Sequence, residues 1–118
     1  MSNRIRILFY GLTVVALLST SALWAQAIFA TLTGVVTDPS GAVVGNAKIT
    51  LRDSGSGSER NSVTDSQGFY TFASVPVGTY SLTVEAPGFQ TYRANDIAMG
   101  GGERRNINAT LTVGRTNQ

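Results

Sequence analysis

Short runs of alternating apolar and polar residues, separated by clusters of Gly, Pro, Asn, Asp and Ser, predict an all-β chain folded as a sandwich of two sheets. The clearest run sets Tyr80, Leu82 and Val84 against Thr79, Ser81, Thr83 and Glu85. A second sets Ile107, Ala109, Leu111 and Val113 against Asn106, Asn108, Thr110 and Thr112. Helical periodicity is weak beyond the N-terminal segment. Strands this short, with turns about every ten residues, point to a seven-stranded antiparallel β-sandwich.

Arg4 and Arg6, an uncharged run from Ile7 to Leu18 and the small-x-small triplet Ala25-Gln26-Ala27 have the layout of an export signal cleaved after Ala27. The competing reading is an uncleaved anchor, because Ile7 to Ala25 carries no charge; Ser19, Thr20 and Ser21 dilute its far end. Without Cys, a bacterial lipoprotein anchor is excluded. Residues 28–113 form the expected domain and 114–118 a flexible tail.

Leu32, Gly34 and Val36 share one face of a first strand, which Asp38-Pro39-Ser40-Gly41 ends as a turn. Ala47, Ile49 and Leu51 point inward from the next strand, with Lys48, Thr50 and Arg52 outward. Asp53 to Ser58 reads as a mobile Ser-Gly connection. Glu59 to Asp65, with Val63 its one apolar residue, suits a sheet edge that must not recruit another chain. Asp65-Ser66-Gln67-Gly68 turns into a strand with Tyr70 and Phe72 on one face and a bulge before Val75. Pro76-Val77-Gly78 leads to the Tyr80 strand and Ala86-Pro87-Gly88-Phe89 to a short strand from Gln90 to Ala94. A loop around Asn95 to Gly102 precedes the last strand.

Composition removes most enzyme chemistry. The chain has no His and no Cys, hence no imidazole base, no thiolate nucleophile, no His or Cys zinc site and no disulfide. Its single tryptophan, Trp24, lies in the leader. The formal charge of +2 comes from Arg4 and Arg6; beyond Ala27 acids and bases balance, so no nucleic-acid partner is indicated. The doublet Arg104-Arg105 reads as a solvated strand start.

The glycines and aromatics form an ordered series: Gly34-Val35-Val36-Thr37-Asp38 with Gly41, then Thr64-Asp65 with Gly68-Phe69-Tyr70-Thr71-Phe72, then Val75-Pro76-Val77-Gly78-Thr79-Tyr80, then Gly88-Phe89. This series resembles the carboxypeptidase regulatory-like domain, a transthyretin/prealbumin-like β-sandwich, over roughly Leu32 to Val113. The resemblance implies a carbohydrate-binding-like fold. It also implies one of several settings, among them metallocarboxypeptidases, adhesins and TonB-dependent outer-membrane receptors, in which the domain follows a signal peptide. The layout here is similar to the receptor case, so the expectation is a non-catalytic exported module making protein contacts in the periplasm or at the outer membrane or cell surface, with no cofactor. Membrane attachment would come only through an uncleaved signal or a longer parent chain.

The alternative is carbohydrate binding. Tyr70, Phe72, Tyr80 and Phe89 are assigned to the core, leaving Phe69 and Tyr92 as candidate ligand-contact aromatics. Asp38 and Asp65 are the candidates for an acid-base pair or a calcium site, but both sit where Asp caps its own turn. Lys48, the sole lysine, has the wrong parity for an internal Lys-Asn crosslink. Asn108-Ala109-Thr110 fits a glycosylation acceptor yet lies mid-strand. The two loops, Asp53 to Ser58 and Asn95 to Gly102, are the remaining recognition candidates.

Overall fold

The computed structural model describes residues 28–114; the expected leader, including Trp24, and the tail beyond Gly114 lie outside them. Among the described residues eight strands occur, β1 (Phe29–Thr37), β2 (Lys48–Asp53), β3 (Glu59–Val63), β4 (Phe69–Pro76), β5 (Gly78–Glu85), β6 (Tyr92–Met99), β7 (Arg104–Asn106) and β8 (Ala109–Thr110). One sheet runs β4-β1-β7, with β8 also paired to β1, and the other β3-β2-β5-β6.

Period-two patterning places the core between the sheets. Leu32 and Val36 of β1, Ile49 and Leu51 of β2, Tyr70, Phe72 and Val75 of β4, and Leu82 and Val84 of β5 are all buried. Phe89 packs partly buried against them. The polar strand β3 is an edge, as its composition predicts.

The expected bulge before Val75 is present. Between the pairs Ala30↔Val75 and Leu32↔Phe72 the β4 strand carries an extra residue, and Ser74 adopts φ 54° to absorb it. A second bulge went unforeseen and corrects the loop expected at Asn95 to Gly102. The β6 strand runs through to Met99, with an extra residue between the pairs Leu82↔Ala94 and Tyr80↔Ile97 and Asp96 at φ 57°. That residue flips the parity, so Tyr92 and Ala94 face the core before it and the buried Ile97 and Met99 after it.

The last strand also differs from the expectation of one continuous antiparallel element. It is split into β7 and β8, and both pair with β1 in parallel. Asn108 causes the break: its side-chain Oδ1 accepts the Val35 N–H at 3.0 Å, a place a backbone carbonyl would otherwise take. Its amide is therefore committed to the fold.

At one end of the sandwich the core is sealed by side-chain to backbone bonds. Tyr70 donates its hydroxyl to the Ile107 carbonyl at 2.6 Å. Gly34 makes this possible, since a Cβ there would run into that carbonyl oxygen and lie 2.6 Å from the Tyr70 hydroxyl. Nearby, Thr64, the buried polar residue of the core, accepts the Ala47 N–H and donates to the Val44 carbonyl, each at 2.8 Å. The chain from Val44 to Ala47 is thereby tied to the start of β2.

Candidate functional site

The two aspartates proposed as caps build near-identical turns. Asp38 Oδ1 accepts the N–H groups of Ser40 (2.9 Å) and Ala42 (3.0 Å) and the Ser40 hydroxyl (2.6 Å). Asp65 Oδ1 accepts those of Gln67 (2.9 Å) and Phe69 (3.0 Å). The Ser40 hydroxyl bond, joined by the backbone donors, holds the Asp38 carboxyl below the usual carboxylate range. Both side chains serve the backbone. No group of three or more acidic, His or Cys residues converges among the described residues.

Phe69 and Tyr92 are not brought together. Phe69 is 42% exposed on the outer face of β4, because its inward neighbour Tyr70 fixes the parity. Tyr92 sits partly buried against the core in the other sheet; burial first, and then charge repulsion from Tyr92, push the Tyr70 phenol upward. A shared two-ring platform is thus absent. Phe69 instead belongs to a broader surface. It pairs with Val35 across β1, Val43 bridges Thr37 on the same face, and Phe29 lies at the far end of β1 with matching parity. Phe29, Val43 and Phe69 are 46, 50 and 42% exposed, set among Thr31, Thr33 and Thr71 and beside Arg104 and Asn106 of β7. The outer face of the opposite sheet carries Lys48, Thr50, Arg52, Ser81, Thr83 and Arg93, with the exposed Val63 beside Lys48.

The Ser-Gly connection is more ordered than its composition suggests. Asp53 accepts the Gly55 and Ser56 N–H groups through Oδ1 at 2.8 and 3.2 Å. Its backbone N–H donates to the Ser58 carbonyl at 2.8 Å, and the Ser54 N–H reaches the Thr79 carbonyl at 2.9 Å. The loop is a folded turn, and it walls a cleft of about 190 Å³ at the end of the sandwich away from Tyr70. Leu51, Pro76 and Tyr80 supply apolar surface; Asp53, Arg60, Ser56 and Ser58 supply the polar groups. Tyr80 donates to the Pro76 carbonyl at 2.6 Å, and burial, then the Asp53 charge, raise its phenol above the ordinary value against a lowering by Arg60. Sequence reasoning missed this cleft. The one local cue was Asp53 and Arg60 bracketing the Ser-Gly turn.

These features define a β-sandwich with two surfaces suited to binding, a sheet face that exposes Phe29, Val43 and Phe69 and a small cleft whose apolar lining carries two charged groups. The profile of the carboxypeptidase regulatory-like domain matches residues 31–112, and the chain belongs to that family. No curated protein matches the chain significantly. Among solved structures, a candidate carbohydrate-binding protein from Bacteroides uniformis is similar, with TM-score 0.59 and 19% identity over 71% of this chain and 41% of that one. Catechol 1,2-dioxygenase from Acinetobacter radioresistens has TM-score 0.60 and 14% identity, over 78% of this chain and 54% of that one. The Bacillus anthracis TIE protein has TM-score 0.59 and 18% identity, over 74% of this chain and 17% of that one. At these identities the likeness concerns the fold alone. The chain spans half or less of the length of the first and third of these proteins and about half of the second.

Proposed function

We propose that this domain is a non-catalytic contact module working outside the cytoplasm, at the cell envelope, as part of a longer receptor-like protein of the TonB-dependent type. The observation that carries the reading is the outer face of the β4-β1-β7 sheet. Phe29, Val43 and Phe69 keep 46, 50 and 42% of their surface in solvent on one face, whereas the opposite sheet exposes Val63 among Lys48, Arg52 and Arg93 and, among the described residues, no aromatic ring of that kind. Exposed aromatic rings set among polar groups are what a protein partner covers. The N-terminal pattern of Arg4, Arg6 and Ala25-Gln26-Ala27 supports export. The larger size of the structural neighbours supports a domain embedded in a longer chain.

The test is intact mass and chemical crosslinking of the native protein in fractionated cells, comparing wild type with a Phe29→Ser/Phe69→Ser double variant. The expected result is a species lacking the first 27 residues in the envelope fraction, with the double variant still in that fraction but losing the chemical crosslink to a second envelope protein that the wild type gives, at unchanged melting temperature. A full-length cytoplasmic species would defeat the export reading, and an unchanged crosslink in the double variant would defeat the contact face.

A second reading, glycan binding, is favoured by the small cleft that sets Asp53 and Arg60 beside Pro76 and Tyr80 and by the carbohydrate-binding description of the Bacteroides uniformis neighbour.

A further inference from the structure

We infer that the cleft between the β2–β3 turn and the β4–β5 turn is a binding site for a single hydroxyl-rich ring, one pyranose unit presented end-on by a glycan. This extends the glycan reading from the domain to named atoms and is independent of the protein-contact face.

The cleft carries one carboxylate and one guanidinium that do not neutralise each other. The ion pairs among the described residues are Arg52–Glu59 and Arg105–Glu103, and neither joins Asp53 to Arg60. Both groups are held in place. Asp53 Oδ1 is fixed by two backbone N–H groups, which leaves Oδ2 without a hydrogen-bond partner among the described residues. Arg60 lies with its guanidinium 5.6 Å from the Phe72 ring centroid and donates from Nη1 to the Ser74 carbonyl at 3.4 Å, so its other N–H groups remain available.

Gly78 borders the site. A Cβ there would fit in ordinary contact, 3.6 Å from both Asp53 Oδ2 and the Tyr80 ring, so a larger, branched side chain is what would cover the carboxylate. The Gly78 backbone does not need the left-handed region, unlike Gly57 and Gly68, so turn geometry alone does not demand glycine.

A ligand must therefore donate to Asp53, accept from Arg60 and lay apolar surface on Pro76, Tyr80 and Leu51. Neighbouring hydroxyls on one ring both donate and accept, and the ring's C–H face supplies the apolar contact. An anion gains from Arg60 what it loses to Asp53, a cation the reverse, so neither is selected, and an apolar group would strip water from both charges without replacing it. The volume of about 190 Å³ admits one ring and not a drug-sized ligand. The remaining rival is a small zwitterion.

The experiment is an amide chemical-shift titration of the isotope-labelled chain with glucose, galactose, mannose and N-acetylglucosamine, with glycine as the zwitterion control. Titration runs to about 50 mM, beyond the millimolar affinity expected of a single ring. The expected result is a saturable shift at Gly55, Ser56, Ser58 and Gly78 with at least one sugar. Arg60→Gln and Asp53→Asn should each weaken it at least tenfold. Gly78→Val, which covers the carboxylate while leaving it in place, should abolish it in a chain whose remaining spectrum is unchanged. Shifts with glycine and none with sugars, shifts centred on Phe69 instead of the cleft, no saturable shift with any sugar, or binding retained in Gly78→Val would each overturn the assignment.

Discussion

Tyr70 and Tyr80 make the same local bond at opposite ends of one core, and their surroundings differ. Each hydroxyl donates to a main-chain carbonyl at 2.6 Å. Around Tyr70 the chain closes over the ring: Gly34 yields its Cβ space, the link from β7 to β8 offers the Ile107 carbonyl, and Thr64 ties down the neighbouring loop. Around Tyr80 a folded loop and a turn stop short of each other and leave a cleft with two unpaired charges. The same residue type thus serves closure at one end and lines a recognition surface at the other. What separates them is the packing of neighbours, which no single tyrosine in a sequence announces.

The largest effect expected from breaking this contrast is at Gly34. Gly34→Ala forces either the Ile107 carbonyl or the Tyr70 ring to move, combining overpacking with a lost buried hydrogen bond. It should cost about 3 kcal/mol or more, read as a shifted denaturant midpoint, or as insoluble protein. Thr64→Val is expected next. It leaves the Ala47 N–H and the Val44 carbonyl unpaired in a buried setting, at about 2 kcal/mol by the same measurement. Tyr70→Phe removes one bond to a shielded carbonyl, at about 1 to 1.5 kcal/mol. Tyr80→Phe should cost less, about 0.5 kcal/mol, because water in the open cleft can replace the lost donor to Pro76.

Alkaline titration sharpens the comparison. Burial raises the Tyr70 phenol above its ordinary value. The folded state therefore keeps a proton that the unfolded chain loses near pH 10. Stability from this source is full below about pH 10 and declines as pH rises from there through the folded value. Stability measured from pH 8 to 11 should be flat and then fall. The fall should be shallower in Tyr70→Phe, and Tyr80→Phe should change it less; equal slopes in all three proteins would show that neither phenol is held protonated by the fold.

Much of the fold was legible because burial follows parity in this chain. Strands with unbroken alternation, such as that of Tyr80, Leu82 and Val84, declare their inward face directly. The bulge before Val75 could be anticipated since large residues stand on both sides of the phase change. The one at Asp96 could not, because Asn95 and Asp96 read as a polar loop and hid the phase change that buries Ile97 and Met99. Asn108 likewise alternates as a strand residue should, while its side chain stands in for the backbone. The cleft was illegible for a different reason. Asp53, Arg60 and Tyr80 belong to three strands, and their nearness depends on register and on the order of a loop whose Ser-Gly composition suggests mobility.

The parallel pairing of β1 with β7 and β8 has a mechanical consequence. The first and last of the described strands are neighbours running the same way, so tension applied at Ile28 and Gly114 is directed along them, not across them. The Thr31 N–H to Glu103, Ile107 N–H to Thr33 and Leu111 N–H to Thr37 bonds, at 2.9, 2.9 and 2.8 Å, together with the Asn108 bond to Val35, must then slide at once and cannot open one after another. Pulled from its ends, the domain yields as a clasp in shear and not as a zipper.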